Sequence, residues 1–183
     1  HFGFEQSCLW QHTRSGRSKE NGKNVDRRFV NPLLEFNGKE KDYVNGEYGP
    51  QVCTDFICDF IDENKEKPFL VYYPMILTHC PFDPTPDSSD WDPKRLGSTT
   101  YKGDRKDPQR HFRDMVAYAD KLVGQVVTQL EKSGLRDDTL LIFTAIQYST
   151  RGRVQQPTRK VIILSATPLG RRRLIHDALC ARA

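Results

Sequence analysis

No run of this chain is apolar for long enough to cross a bilayer. The longest, FLVYYPMIL (69–77), has nine residues, where a helical crossing takes about 20. Methionine is almost missing too: Met75 and Met115 are the only two, and the chain opens on His1. Such a sequence is expected to be a fragment or a processed product, with a lost signal peptide left open. No C-x-x-C spacing occurs among Cys8, Cys53, Cys58, Cys80 and Cys180, so zinc has no support. The odd count leaves at least one thiol unpaired in a monomer, and Cys53 and Cys58, five apart, point to different sides of a helix. Most of the five read as small buried residues. The motifs G-x-x-x-x-G-K-[ST], G-x-G-x-x-G, H-E-x-x-H and G-x-S-x-G are absent as well.

The last 33 residues hold no glutamate at all. Residues 151–183 carry seven Arg and one Lys against one Asp, a balance of +7, whereas the first 150 stand at −3. The basic character therefore belongs to the tail and not to the body. What is present in the body is enough for a core. With 183 residues and 37% hydrophobic content the chain is one domain or part of a larger one, and global disorder is excluded.

Residues 1–49 read as loops and short extended pieces, with Phe2, Phe4, Leu9 and Trp10 as packing residues. Within them NPLLEFNGKEKDYVNGEYG (31–49) resembles a hairpin, because NGK separates two alternating stretches. PQVCTDFICDFIDENK (50–65) predicts a helix: Pro50 suits the first position, and Val52, Cys53, Phe56, Ile57, Phe60 and Ile61 share one face. KPFLVYYPMI (67–76) is a continuous apolar run, the mark of a strand buried on both faces. A Pro/Ser/Asp-rich loop (78–104) follows, and loops of that length tend to be functional. A second helix is expected over 110–132, with a stripe of Met115, Ala119, Leu122, Val123, Val126 and Leu130, ended by Gly134. A strand over 139–145 completes a βαβ unit, whose two strands should be parallel and adjacent or nearly so.

The best single site candidate is His79 in THCPF. It follows the carboxyl end of an expected central strand and opens the long loop, where site residues of α/β proteins gather. An imidazole there could hold an anionic oxygen or shuttle a proton; a hydrogen-bonded structural histidine is the commoner case. Asp83, Asp87, Asp90 and Asp92 read as turn formers, since no EF-hand-type spacing appears. Asp137 and Asp138 lie at the wrong end of their strand. His1, His12, His111 and His176 have no supporting context.

After Ala145 the pattern dissolves. VIILSATPL (161–169) could be a strand, but its neighbours supply neither alternation nor caps. Three readings stand: a basic nucleic-acid-binding tail, an out-of-frame reading of a gene, and a solvated terminus.

GEYGPQVCTDFICDFIDENKEKPFLVYYPMILTHCPFDPTPDSSDWDP, then YKGD and DMVAYADKLVGQVVTQLEKSGLRDDTLLIFTA, together resemble the sulfatase family of the alkaline-phosphatase superfamily, over about residues 1–145. The resemblance implies an α/β fold: a partial alkaline-phosphatase/sulfatase-like sandwich with a mainly parallel central sheet, incomplete at both ends. Residues 1–145 would be the middle part of the catalytic domain, and 146–183 a basic tail unlike the family. The family's histidine in H-x-P-F faces the active site and binds the substrate's sulfate, which gives His79 that role.

Departures from the family pattern matter as much. The family strand matching LLIFTA ends in Asp-Asn-Gly, whose Asp and Asn ligate calcium; here Ile146 and Gln147 stand in those positions. Ile cannot ligate, and Gln alone cannot replace a carboxylate at a hard cation. An abrupt loss after good matching favours a frameshift or mis-joined frame. The family nucleophile, a Cys or Ser in C/S-x-P/A-x-R converted to formylglycine, has no counterpart, and the paired Asp ligands of its amino-terminal region are absent too. The chain is therefore expected to be inactive alone and to bind no Ca2+ tightly. The implied partner is a sulfated small molecule or glycan and not nucleic acid, with no membrane span; the family is often exported to periplasm, extracellular space or lysosome. The alternative is a non-enzymatic polyanion- or nucleic-acid-binding module working through the Arg-rich tail.

Overall fold

The computed structural model describes residues 3–10, 19–20, 23–24, 27–95, 107–146, 149–150, 153–154 and 159–166. The expected hairpin forms β4 (Leu33–Phe36) and β5 (Lys39–Asp42), after β1 (Cys8–Trp10) and the two-residue strands β2 (Lys19–Glu20) and β3 (Lys23–Asn24). Asn37 and Gly38 both take positive φ, +51° and +86°, the signature of the tight turn that matches strand twist. β1 adds to the other edge of β4, pairing Cys8 with Phe36 and Trp10 with Leu34, which makes a small sheet in the order β1-β4-β5. Of the aromatic and aliphatic residues expected to pack here, Phe4 and Leu9 are half exposed. Phe2 lies outside the described residues.

Helix α1 (Gly49–Glu63) and helix α2 (Pro108–Lys132) form as the periodicity requires. Asp107 caps α2 by accepting the backbone N–H of Arg110 at 3.0 Å. At the other end Leu135 N–H reaches Leu130 O at 2.8 Å and Gly134 N–H reaches Glu131 O at 3.0 Å. With Gly134 at φ +69°, this is a Schellman ending. Ile57 and Ile61 of α1 meet Met115, Tyr118, Ala119, Leu122, Val126 and Leu130 of α2 in one core cluster. Phe69, Val71, Tyr73 and Met75 from β6 (Phe69–Met75) close it.

β6 alternates strictly between buried and exposed, so the expected strand buried on both faces is corrected: among the described residues one face is covered and the other is open. Leu70 and Tyr72 on the other face are 54% and 50% exposed, Leu140 and Ile142 of β7 (Thr139–Ile146) are exposed on alternate positions, and Phe143, on β7's opposite face, is exposed as well. Both helices supply the core on the inner side, and among the described residues only Phe4 is recorded reaching Tyr72, with ring centroids 6.3 Å apart.

The sheet itself departs from expectation. After the two-residue β8 (Ser149–Thr150) and β9 (Arg153–Val154), β10 (Arg159–Ala166) lies between β6 and β7, giving the order β6-β10-β7. Its register runs Phe69↔Ala166 to Met75↔Lys160 on one side and Thr139↔Ala166 to Ile146↔Arg159 on the other. The mixed α/β class holds, but the expected mainly parallel central sheet is not what is paired: every ladder among the described residues is antiparallel. The reason is β10, whose backbone satisfies the inner edges of both neighbours. Because β6 and β7 each run opposite to β10, they run in the same direction as one another, one strand apart.

Candidate functional site

The shared direction of β6 and β7 puts their carboxyl ends at one edge of the sheet. Lys160 marks that edge, for it pairs with Met75 on one side and with Ala145 on the other. His79 follows Met75 by four residues and Ile146 follows Ala145 by one. The two positions singled out in the sequence thus emerge at the same end of the sheet. Gln147 lies outside the described residues.

A tight turn carries His79 out of β6. Leu77 and Thr78 are buried, and His79 N–H donates to Ile76 O at 2.9 Å. The imidazole is half buried, and its Nδ1 lies 2.8 Å from Nη1 of Arg28, a partner the sequence does not announce. Arg28 is only 6% exposed. Its guanidinium lies over the Trp10 ring, 4.1 Å from the centroid, a cation–π arrangement that suits a partly desolvated cation. A guanidinium can only donate, so in this contact Nδ1 of a neutral ring accepts and Nε2 carries the proton. Cys80 O lies against the same nitrogen and would favour the opposite tautomer. The charge-assisted bond from Arg28 is the stronger of the two, which leaves Nε2–H as the ring's donor.

Local structure explains why Arg28 is there. Arg27 turns the other way, donating from Nε to Asn31 O at 2.9 Å and from Nη2 to Tyr43 O at 2.8 Å and to Asp42. Gly49 N–H donates to Phe29 O at 2.7 Å, so the start of α1 rests on the Arg28–Phe29 backbone. A Cβ on Gly49 would come within 2.2 Å of Arg28 O, which makes glycine a requirement of this approach.

The loop after His79 is fastened to α2 by the carboxylates that read as turn formers. Asp92 does behave as a turn former, its Oδ1 accepting Lys94 N–H at 2.9 Å. Asp87 takes Lys121 Nζ at 2.8 Å, and Asp90 takes Arg110 through both oxygens at 3.1 and 2.7 Å. Ser88 Oγ donates to Asp114 at 2.6 Å. His111, which had no supporting context in the sequence, is 4% exposed and donates from Nε2 to Asp90 at 2.9 Å. Its Nδ1 is buried with no hydrogen-bond partner among the described residues. Asn31 ties the hairpin to the loop's far end, donating to Pro93 O at 2.9 Å and Arg95 O at 2.6 Å while accepting Gly46 N–H at 2.7 Å.

Metal ligation has no donor set here. Among the described residues no three His, Cys, Asp or Glu side chains gather in a way that could hold an ion, and Ile146 at the end of β7 offers no donor atom. No such set for the calcium that the resemblance implies is found among the described residues. The cysteines depart from the expected small buried residues: Cys8, Cys53, Cys58 and Cys80 are each only partly buried, with Cys53 and Cys58 packed against the core from α1. Cys180 lies outside the described residues.

A family model described as Sulfatase matches residues 2–145. No curated protein and no solved structure matches the chain.

Proposed function

The chain belongs to the sulfatase family, a family of sulfuric-ester hydrolases, and from that membership we propose that it is the middle part of a sulfatase catalytic domain. Its His79 would contact the sulfuryl group of a sulfated small molecule or glycan. One observation carries this reading: His79 leaves the carboxyl end of β6 at the same sheet edge as the end of β7, with Arg28 2.8 Å from its Nδ1. A proton held on Nε2 makes the imidazole a hydrogen-bond donor to an anionic oxygen, and the nearby guanidinium adds favourable field. The common direction of β6 and β7 is what the family's mainly parallel sheet calls for.

Only one half of a hydrolytic site is present in these residues. No C/S-x-P/A-x-R nucleophile occurs in the 183 residues, and the end of β7 supplies Ile146 where a calcium-ligating carboxylate belongs. The formylglycine and calcium chemistry of the family thus has no residues here to carry it, and the chain alone should bind sulfate esters without cleaving them. The +7 charge of residues 151–183 keeps polyanion binding as the second reading.

The test is a titration of sodium sulfate, at constant ionic strength, followed through the histidine side-chain resonances of the full chain. His79 should shift saturably, and His111, buried against Asp90, should not. Loss of that shift is expected in Arg28→Ala. A His79 signal that moves no more with sulfate than with chloride would overturn the assignment.

A further inference from the structure

Cys8 opens β1, where it is paired across to Phe36 of β4, and Cys53 lies in the second turn of α1. Forty-five residues of sequence separate them, yet their Sγ atoms are 3.7 Å apart. That is sulfur–sulfur contact without a bond, between two free and half-buried thiols. β1 is held by three residue pairs to β4, and α1 by its core packing, so the contact is imposed by elements fixed for other reasons. A disulfide brings the sulfurs to about 2.05 Å, a change that side-chain rotation can supply from contact distance. We propose that Cys8 and Cys53 form an intramolecular disulfide that staples β1 to α1.

The oxidant is a small-molecule disulfide such as oxidised glutathione. The Cys8 thiolate attacks one of its sulfurs, forming a mixed disulfide and expelling one glutathione thiolate. Cys53 gives its proton to that thiolate, and its sulfur then displaces the second glutathione from Cys8. Two protein thiols lose two electrons and two protons, and one oxidised glutathione becomes two reduced ones. The order follows from the contact itself. The hydrogen bond from Cys53 holds the Cys8 thiol below its ordinary range, and that same contact, with burial, pushes Cys53 well above it. The pair ionises first at Cys8.

Its position gives the bond a consequence. Trp10 is two residues beyond Cys8 on β1, its ring carries the Arg28 guanidinium, and Arg28 reaches His79. Stapling β1 fixes the platform on which Arg28 lies.

The experiment treats the full chain with oxidised glutathione or with dithiothreitol, then alkylates it under denaturing conditions and maps the peptides. Oxidation should hide two of the five thiols, yield a peptide joining the segments around Cys8 and Cys53, and raise the melting temperature by about 5–15 °C. Dithiothreitol should reverse the rise, Cys8→Ser and Cys53→Ala should each abolish it, and Cys58→Ser should keep it. Full alkylation of Cys8 and Cys53 after oxidation, a bridge through another pair, or glutathione left on Cys8 would overturn the proposal.

Discussion

A bidentate contact from Arg110 and a hydrogen bond from His111 hold the Asp90 carboxyl well below the usual carboxylate range, Arg110 contributing most. A depressed folded-state value means that the stabilisation is complete above the unfolded value of about 3.9 and is lost as pH falls through the folded one. Asp90 is 43% exposed in its side chain, so solvent screening limits the contribution to about 0.5–1 kcal/mol. Asp90→Asn should therefore melt lower than the parent at pH 6, and the gap should close as the pH is taken from 5 towards 2 in a series of thermal melts. A gap that stays constant with pH would mean that the carboxylate does not fasten this loop. At this scale the sequence was only partly readable. The position of His79 after a strand was legible from the sequence. Arg28 and His111 could not be picked out, because each acquires its role from a partner far along the chain, Arg28 from His79 and His111 from Asp90.

Elements were more legible where their pattern is their own. The periodicity of α1 and α2, the Pro near each start and Gly134 after α2 are local signals, and both helices formed within two residues of the expected bounds. Asn37-Gly38 likewise fixed the hairpin. β10 shows the opposite case. VIILSATPL (161–169) could be a strand, but its neighbours gave no alternation or caps. Arg159–Ala166 nonetheless supplies the middle strand, since a middle strand owes its place to the two edges beside it. Removing residues 151–183 would therefore do more than strip charge: it would uncover one edge each of β6 and β7. The shortened chain should lose its cooperative melt, or aggregate, when unfolding is followed by circular dichroism. An unchanged melting curve would show that the β10 pairing contributes nothing.

For the molecule as a whole, the apolar runs in β6 and β7 were read correctly as strands but not in what covers them. Continuous hydrophobicity is what a strand needs when both faces are packed, and here Leu70 and Tyr72 of β6 and Leu140 and Ile142 of β7 stay exposed on alternate positions. A sequence records the burial its strands are suited to, and only the assembled layers show how much of it is met. The same division runs through the site. In the proposed site His79 and Arg28 stand at the sheet edge, while the nucleophile motif is absent from the chain and Ile146 closes β7 without a side-chain ligand. The most direct test is the hydrolysis of 4-nitrophenyl sulfate by the full 183-residue chain in calcium-containing buffer. The account predicts no release of nitrophenol above the buffer rate; saturable turnover that disappears in His79→Ala would contradict it.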